Sequence, residues 1–170
     1  SFTNTIISPN LSIDIVDSKD CKRFSGVIIN NIIVGESPSF IKNKLRAIGL
    51  KPINNIVDIT NYVMHEIGQP LHAYDRNKIS SNTIKIQKLK KGTKFTTLDG
   101  IERELGENDL IICDDYTPMC LAGIFGGNFH GVSENTTSIF LESAFFNPVS
   151  VRKSAKYHSL NTDSSYRFER

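Results

Sequence analysis

Apolar and polar residues alternate over positions 12–16, the period of a half-buried strand. Positions 24–34 form a longer run rich in Val and Ile, predicted as a second β segment with Asn30-Asn31 as an interruption. The period then lengthens. Ser37 is expected as an N-cap and Pro38 as the first helical residue, where a missing N–H costs nothing. Phe40, Ile41, Leu45 and Ile48 make one apolar face, and Gly49 supplies a left-handed stop. A second helix is predicted over 55–67, with Ile56, Ile59, Val63 and Ile67 facing the core at steps of three and four. Gly68 ends it, and Gln69-Pro70 forces an extended exit into 71–75, a loop or short strand.

The remaining pattern is mostly of period two. Strands are predicted at 83–89, 109–113, 119–125 (ending in Gly126-Gly127) and 138–143. A hairpin is expected from 94–98 and 101–105 around the Asp99-Gly100 turn. A last helix runs from Asn147-Pro148 to about His158, and Arg152, Lys153 and Lys156 give it a basic flank, either solvated or in contact with RNA. Strands dominate, without strand–helix alternation. The expected fold class is therefore α+β: layered mixed or antiparallel β-sheets with helices packed on one side. No repeat or linker interrupts the chain, so 1–170 reads as a single domain.

Composition narrows the function classes. With 170 residues, 39% of them hydrophobic, the chain can bury a core. It has no apolar run of membrane-spanning length. A net charge of +2 is small for a stand-alone nucleic-acid binder, so any RNA contact should be local or shared with other domains. Cys21, Cys113 and Cys120 are an odd set without CxxC spacing. Neither a disulfide framework nor a zinc site is expected, and a reducing cytoplasm fits best. The absence of an initiator Met and the abrupt finish at Ser165–Arg170 suggest a domain excised from a longer chain.

Standard catalytic signatures are missing: GxSxG, HExxH, a P-loop and the dinucleotide-binding glycines. His65, His72, His130 and His158 are scattered without metal-ligand spacing. Three segments remain as candidates. Asn61 with residues 69–75 closes a helix in polar residues and enters a rigid loop. Residues 121–127 carry glycines suited to close backbone approach or a sharp turn. Residues 141–146 place Glu142 in an apolar stretch, where burial is costly without a partner. Each also has a plain structural reading. His72 could bond a loop, Gly126-Gly127 could be a hairpin turn, and Glu142 could alternate out into water.

Residues 52–64, followed by Gly68-Gln69-Pro70-Leu71-His72-Ala73-Tyr74-Asp75, resemble a signature of the beta subunit of bacterial phenylalanyl-tRNA synthetase. Leu98-Asp99-Gly100, residues 121–127, Leu141-Glu142-Ser143-Ala144 and residues 162–170 resemble later blocks of the same domain in the same order. The likeness covers residues 20–170 and is to the editing domain of that family, labelled B3/B4. It implies a layered α+β fold. It also implies post-transfer editing, the hydrolysis by water of the ester joining tyrosine to tRNA(Phe). The setting implied is a cytoplasmic (αβ)2 heterotetramer containing an alpha subunit and further beta-subunit domains. The domain would contact the tRNA 3′ end and hold no cofactor or metal of its own, while ATP and Mg belong to the parent enzyme's aminoacylation site.

By the same resemblance, Glu142 corresponds to the glutamate that recognises the tyrosine hydroxyl. Gly123 with Ala122 corresponds to the wall beside the substrate ring, where a larger side chain should block the pocket. His72 and Asn61 correspond to positions near the ester and terminal adenosine and are the catalytic candidates, bearing on an attacking water. Thr162 and Ser164 correspond to pocket positions. Ser164 departs from the Ala found in better-known relatives, which implies a narrowed but working pocket. The rival readings are a non-catalytic tRNA- or RNA-binding or scaffolding module of the synthetase, and a free-standing editing protein.

Overall fold

A computed structural model describes residues 11–170; the first ten positions of the 1–170 span lie outside the described residues. The fold is α+β. β1 (Ser12–Ile15) and β4 (Thr83–Lys88) pair in parallel, and β4 continues antiparallel to β7 (Leu110–Asp114), β8 (Thr117–Leu121) and the two-residue β9 (Phe125–Gly126). A second, antiparallel sheet has the order β2 (Cys21–Asn30), β10 (Ser138–Phe146), β3 (Leu71–Asp75). The predicted hairpin forms as β5 (Lys94–Thr96) and β6 (Glu102–Glu104), with Gly100 at φ 77° in its turn.

One apolar cluster joins the sheets. Ile84, Ile86, Ile111 and Ile112 of the larger sheet are fully buried with Tyr74 and Phe140 of the smaller one, and with Val151 and Ala155 of α3 (Pro148–Tyr157). Ile84 and Ile86 share one face of β4, whereas β7 is buried on both faces, so that the adjacent Ile111 and Ile112 are covered from opposite sides; this burial is the main stabilising term. Cys21, Cys113 and Cys120 are free, buried thiols. No helix of the described residues is long and apolar enough to cross a membrane.

α2 (Asn55–Ile67) has the predicted bounds for identifiable reasons. The Asn54 side chain accepts from the backbone N–H groups of Ile56 and Val57, and Gly68 closes the helix at φ 78°. The buried face differs from the expected one. Ile59 and Ile67 are exposed, whereas Val57, Thr60, Asn61 and Met64 turn toward a cleft. These four share the i, i+3, i+4, i+7 spacing, so the helix has two candidate stripes and tertiary contacts choose the mixed one. The first helix, α1 (Ser39–Ala47), begins two residues after the expected cap. Pro38 is its N-cap, and the Ser37 hydroxyl instead donates to the buried Asp58 carboxylate. Ile41 and Leu45 are buried as expected, but Phe40 and Ile48 are not.

Two further expectations are corrected. The run 119–125 is not one strand. It breaks at Gly123, φ 72°, and β9 folds back on β8, so the reversal falls there and not at Gly126-Gly127. A fourth helix, α4 (Asp163–Phe168), was not foreseen. Its six residues show no apolar period. A local capping box starts it: the Thr162 hydroxyl accepts from Ser165 N–H, and the Ser165 hydroxyl is within reach of Thr162 N–H.

Candidate functional site

α2, β3, the Gly123 turn, β10 and α4 surround a cleft of about 290 Å³. That is near the lower end of small-molecule sites, which span about 300–1,000 Å³. Asn61, His72, Gly123, Glu142, Thr162 and Ser164 all line it. Ala122 is not among the lining residues. Ala122 is 3% exposed and packs into the shared core.

His72 and Glu142 are direct partners across the β3–β10 ladder. Residues opposite one another in an antiparallel pair project to the same side, so both face the cleft from a rigid sheet. Glu142 is 5% exposed. Burial pushes its carboxyl up to about 7, against the opposing pull of a hydrogen bond donated by the Tyr74 hydroxyl at 2.6 Å. Burial alone pushes His72 down to about 4, so its imidazole is neutral near pH 7. Its ring stands edge-on against Tyr74, with centroids 4.4 Å apart.

Gly126 makes the room for that imidazole. A Cβ at this position would lie 2.6 Å from His72 Cε1 and 2.8 Å from Nε2. The sequence marks the 121–127 glycines for close approach or a sharp turn, and at Gly126 the close approach is to the His72 ring. A Cβ at Gly123 would meet Phe168 at 2.9 Å and Phe146 at 3.1 Å, so an added side chain collides with packed aromatics, of which Phe168 lines the cleft.

The two hydroxyls of the last segment serve the backbone. Thr162 donates to Ile124 C=O at 2.9 Å, and Ser164 donates to Gly123 C=O at 3.0 Å. They fasten the start of α4 to the turn that opposes it. Asn61 presents an amide on α2 with no side-chain partner among the described residues. Met64, Leu98, Cys120 and Phe168 also line the cleft and Tyr74 is buried beside it against Glu142; the sequence gives none of the five an individual role at the site. Apolar or aromatic residues on a strand or helix look like core until the fold places them beside a cavity. Burial holds the Cys120 thiol well above its ordinary pKa, so it is not a thiolate. Among the described residues, no three His, Cys, Asp or Glu side chains gather as a metal ion would require.

The family model of the B3/4 domain matches residues 20–170. Phenylalanine–tRNA ligase beta subunit of Porphyromonas gingivalis is 55% identical over 166 residues, covering 97% of this chain and 20% of that protein. The beta subunit of Aquifex aeolicus is 52% identical over 155 residues, covering 91% of this chain and again 20% of the relative. The chain thus spans about a fifth of the length of these relatives. Its fold resembles that of an N-terminal fragment of the phenylalanyl-tRNA synthetase beta subunit from Pyrococcus horikoshii. The TM-score is 0.56 at 12% identity, over 88% of this chain and 48% of the other.

Proposed function

The chain belongs to the B3/4 domain family, which its relatives carry within phenylalanine–tRNA ligase beta subunits, and from that premise we propose that its cleft is a post-transfer editing site that hydrolyses tyrosine from mischarged tRNA(Phe). The observation that carries the reading is the buried Glu142 carboxylate, one oxygen held by Tyr74 and the other without a protein partner among the described residues, directly across the ladder from His72.

The chemistry of discrimination supports it. An apolar phenylalanine pocket rejects an added hydroxyl only about 10²-fold. A site built to bond a hydroxyl has the opposite bias: the analogue lacking it leaves a buried polar group unpaired and is rejected by about 10⁴–10⁵. Glu142 offers that acceptor, and a phenol–carboxylate bond is roughly twice as strong as a neutral one.

Hydrolysis in this cleft is direct attack by water. The water oxygen bonds to the ester carbonyl carbon, the bond from that carbon to the ribose oxygen breaks, and a water proton passes to the ribose. A covalent route lacks a nucleophile, since the Ser164 hydroxyl is committed to a backbone carbonyl and the Cys120 thiol stays protonated. Neutral His72, with a pKa near 4, positions water or ester by hydrogen bonding and is a weak proton acceptor. The Asn61 amide is the donor for the carbonyl or terminal ribose.

We further propose that residues 1–170 form one domain of a longer beta subunit. It would work in a cytoplasmic (αβ)2 enzyme whose ATP- and Mg-dependent aminoacylation site lies elsewhere. Deacylation of Tyr-tRNA(Phe) by the full-length synthetase tests the reading. Glu142→Ala should lose the preference for tyrosine over phenylalanine, and His72→Ala and Asn61→Ala should slow hydrolysis. Unchanged deacylation in all three would leave a non-catalytic RNA-binding module. The excised domain, lacking the rest of the tRNA-binding surface, should be weakly active or inactive.

A further inference from the structure

Glu142 is held by a neighbour whose own chemistry mirrors the proposed ligand. Tyr74 lies on β3 two residues beyond His72, so both side chains leave the same face of the strand. Its ladder partner is Phe140, and Glu142 is the diagonal neighbour two positions along β10. Aromatic side chains reach such diagonal partners. Tyr74 is wholly buried, and its ring lies 6.0 Å from Phe140 and 4.4 Å from His72. Its hydroxyl donates to Glu142 Oε2 at 2.6 Å, the one hydrogen bond this carboxylate receives among the described residues.

We propose that Tyr74 is a positioning residue for Glu142: its buried phenol holds one carboxylate oxygen so that the other faces the cleft and accepts the phenol of a tyrosyl ligand. The identity of that ligand rests on the editing reading above; the coupling of Tyr74 to Glu142 does not. A carboxylate accepts about four hydrogen bonds, and burial with one donor leaves capacity for a second phenol. The Tyr74 hydroxyl also favours the ionised acid against the burial that disfavours it. Phenylalanine at this position would keep the ring packing and remove only the donor.

The test uses the full-length synthetase carrying Tyr74→Phe. Protonated Glu142 is followed by its infrared carboxyl band, assigned by its loss in Glu142→Gln, and Tyr-tRNA(Phe) deacylation is measured across pH. In Tyr74→Phe the Glu142 band should persist to higher pH. KM for Tyr-tRNA(Phe) should rise on the order of tenfold near neutral pH, the loss expected for one bond to a charged group, with kcat little changed. A ring-fluorinated tyrosine at position 74, a stronger donor of nearly the same shape, should move the band the other way and serves if Tyr74→Phe folds poorly. A Glu142 titration unmoved by either replacement overturns the proposal, even if the wild-type enzyme edits. If the titration moves but the wild type does not deacylate Tyr-tRNA(Phe), the editing reading fails and the Tyr74–Glu142 coupling stands.

Discussion

Gly123 and Gly100 separate two costs that a glycine substitution combines. Both have positive φ, 72° and 77°. A Cβ at Gly100 would meet nothing within 4 Å, whereas one at Gly123 would press on Phe168, Phe146 and Val151 at 2.9–3.3 Å. Gly100→Ala should therefore cost only the left-handed strain, about 1–2 kcal/mol. Gly123→Ala should cost that plus repacking, typically a further 1–3 kcal/mol. Urea unfolding of the two variants reads the difference; equal losses would mean that the aromatics yield freely. Gly126→Ala belongs to the same scale but has a different target, because its Cβ would strike the His72 ring. That ring is the softer obstacle, so Gly126→Ala should reduce deacylation more than stability.

Among the elements, α4 is the most dependent on its surroundings. Six residues are far too few for a helix to persist alone in water. It is held by the Thr162–Ser165 capping box, by the bonds from Thr162 and Ser164 to the Gly123 turn, and by Phe168 stacked edge-on to Phe146 at 5.1 Å. Thr162→Val keeps the shape and removes the cap and one tether. It should cost about 1–2 kcal/mol and speed hydrogen exchange at the α4 amides, while leaving those of α2 unaffected. Uniform acceleration across the chain would contradict this local role. The same contrast explains what the sequence could reveal. α2 is legible from its apolar period and the local Gly68 stop, and the hairpin around Gly100 from its local turn; the Asn54 cap that starts α2 emerges only in the structure. α4, the reversal at Gly123 and the exposed Ile59 and Ile67 depend on contacts made by residues distant in sequence. At the cleft, Glu142 stood out as an acid in an apolar run. Tyr74 did not, since a tyrosine in a strand resembles ordinary core until its hydroxyl is seen to reach the carboxylate.

At the scale of the whole molecule, the two facing groups of the cleft give stability opposite dependences on pH. Glu142 rises from its ordinary 4.5 to about 7 on folding. The folded chain thus keeps a proton that the unfolded chain releases, and this contribution, full below pH 4.5, is lost as pH climbs to 7. His72 falls from 6.5 to about 4. Here the unfolded chain holds the extra proton, so the contribution is full above pH 6.5 and disappears as pH falls toward 4. Between pH 4.5 and 6.5 the slopes oppose, and their sum is smaller than either part. Glu142→Gln removes the falling limb and leaves the rising one, so the stability of this variant relative to wild type should increase steadily from pH 4.5 to 6.5. His72→Gln should show the reverse, a relative decline across the same interval. Urea midpoints taken at half-unit steps would trace both curves. Parallel curves for wild type and Glu142→Gln would mean that the acid ionises as freely in the fold as in water. That result would remove the basis for treating it as a buried acceptor for a ligand hydroxyl.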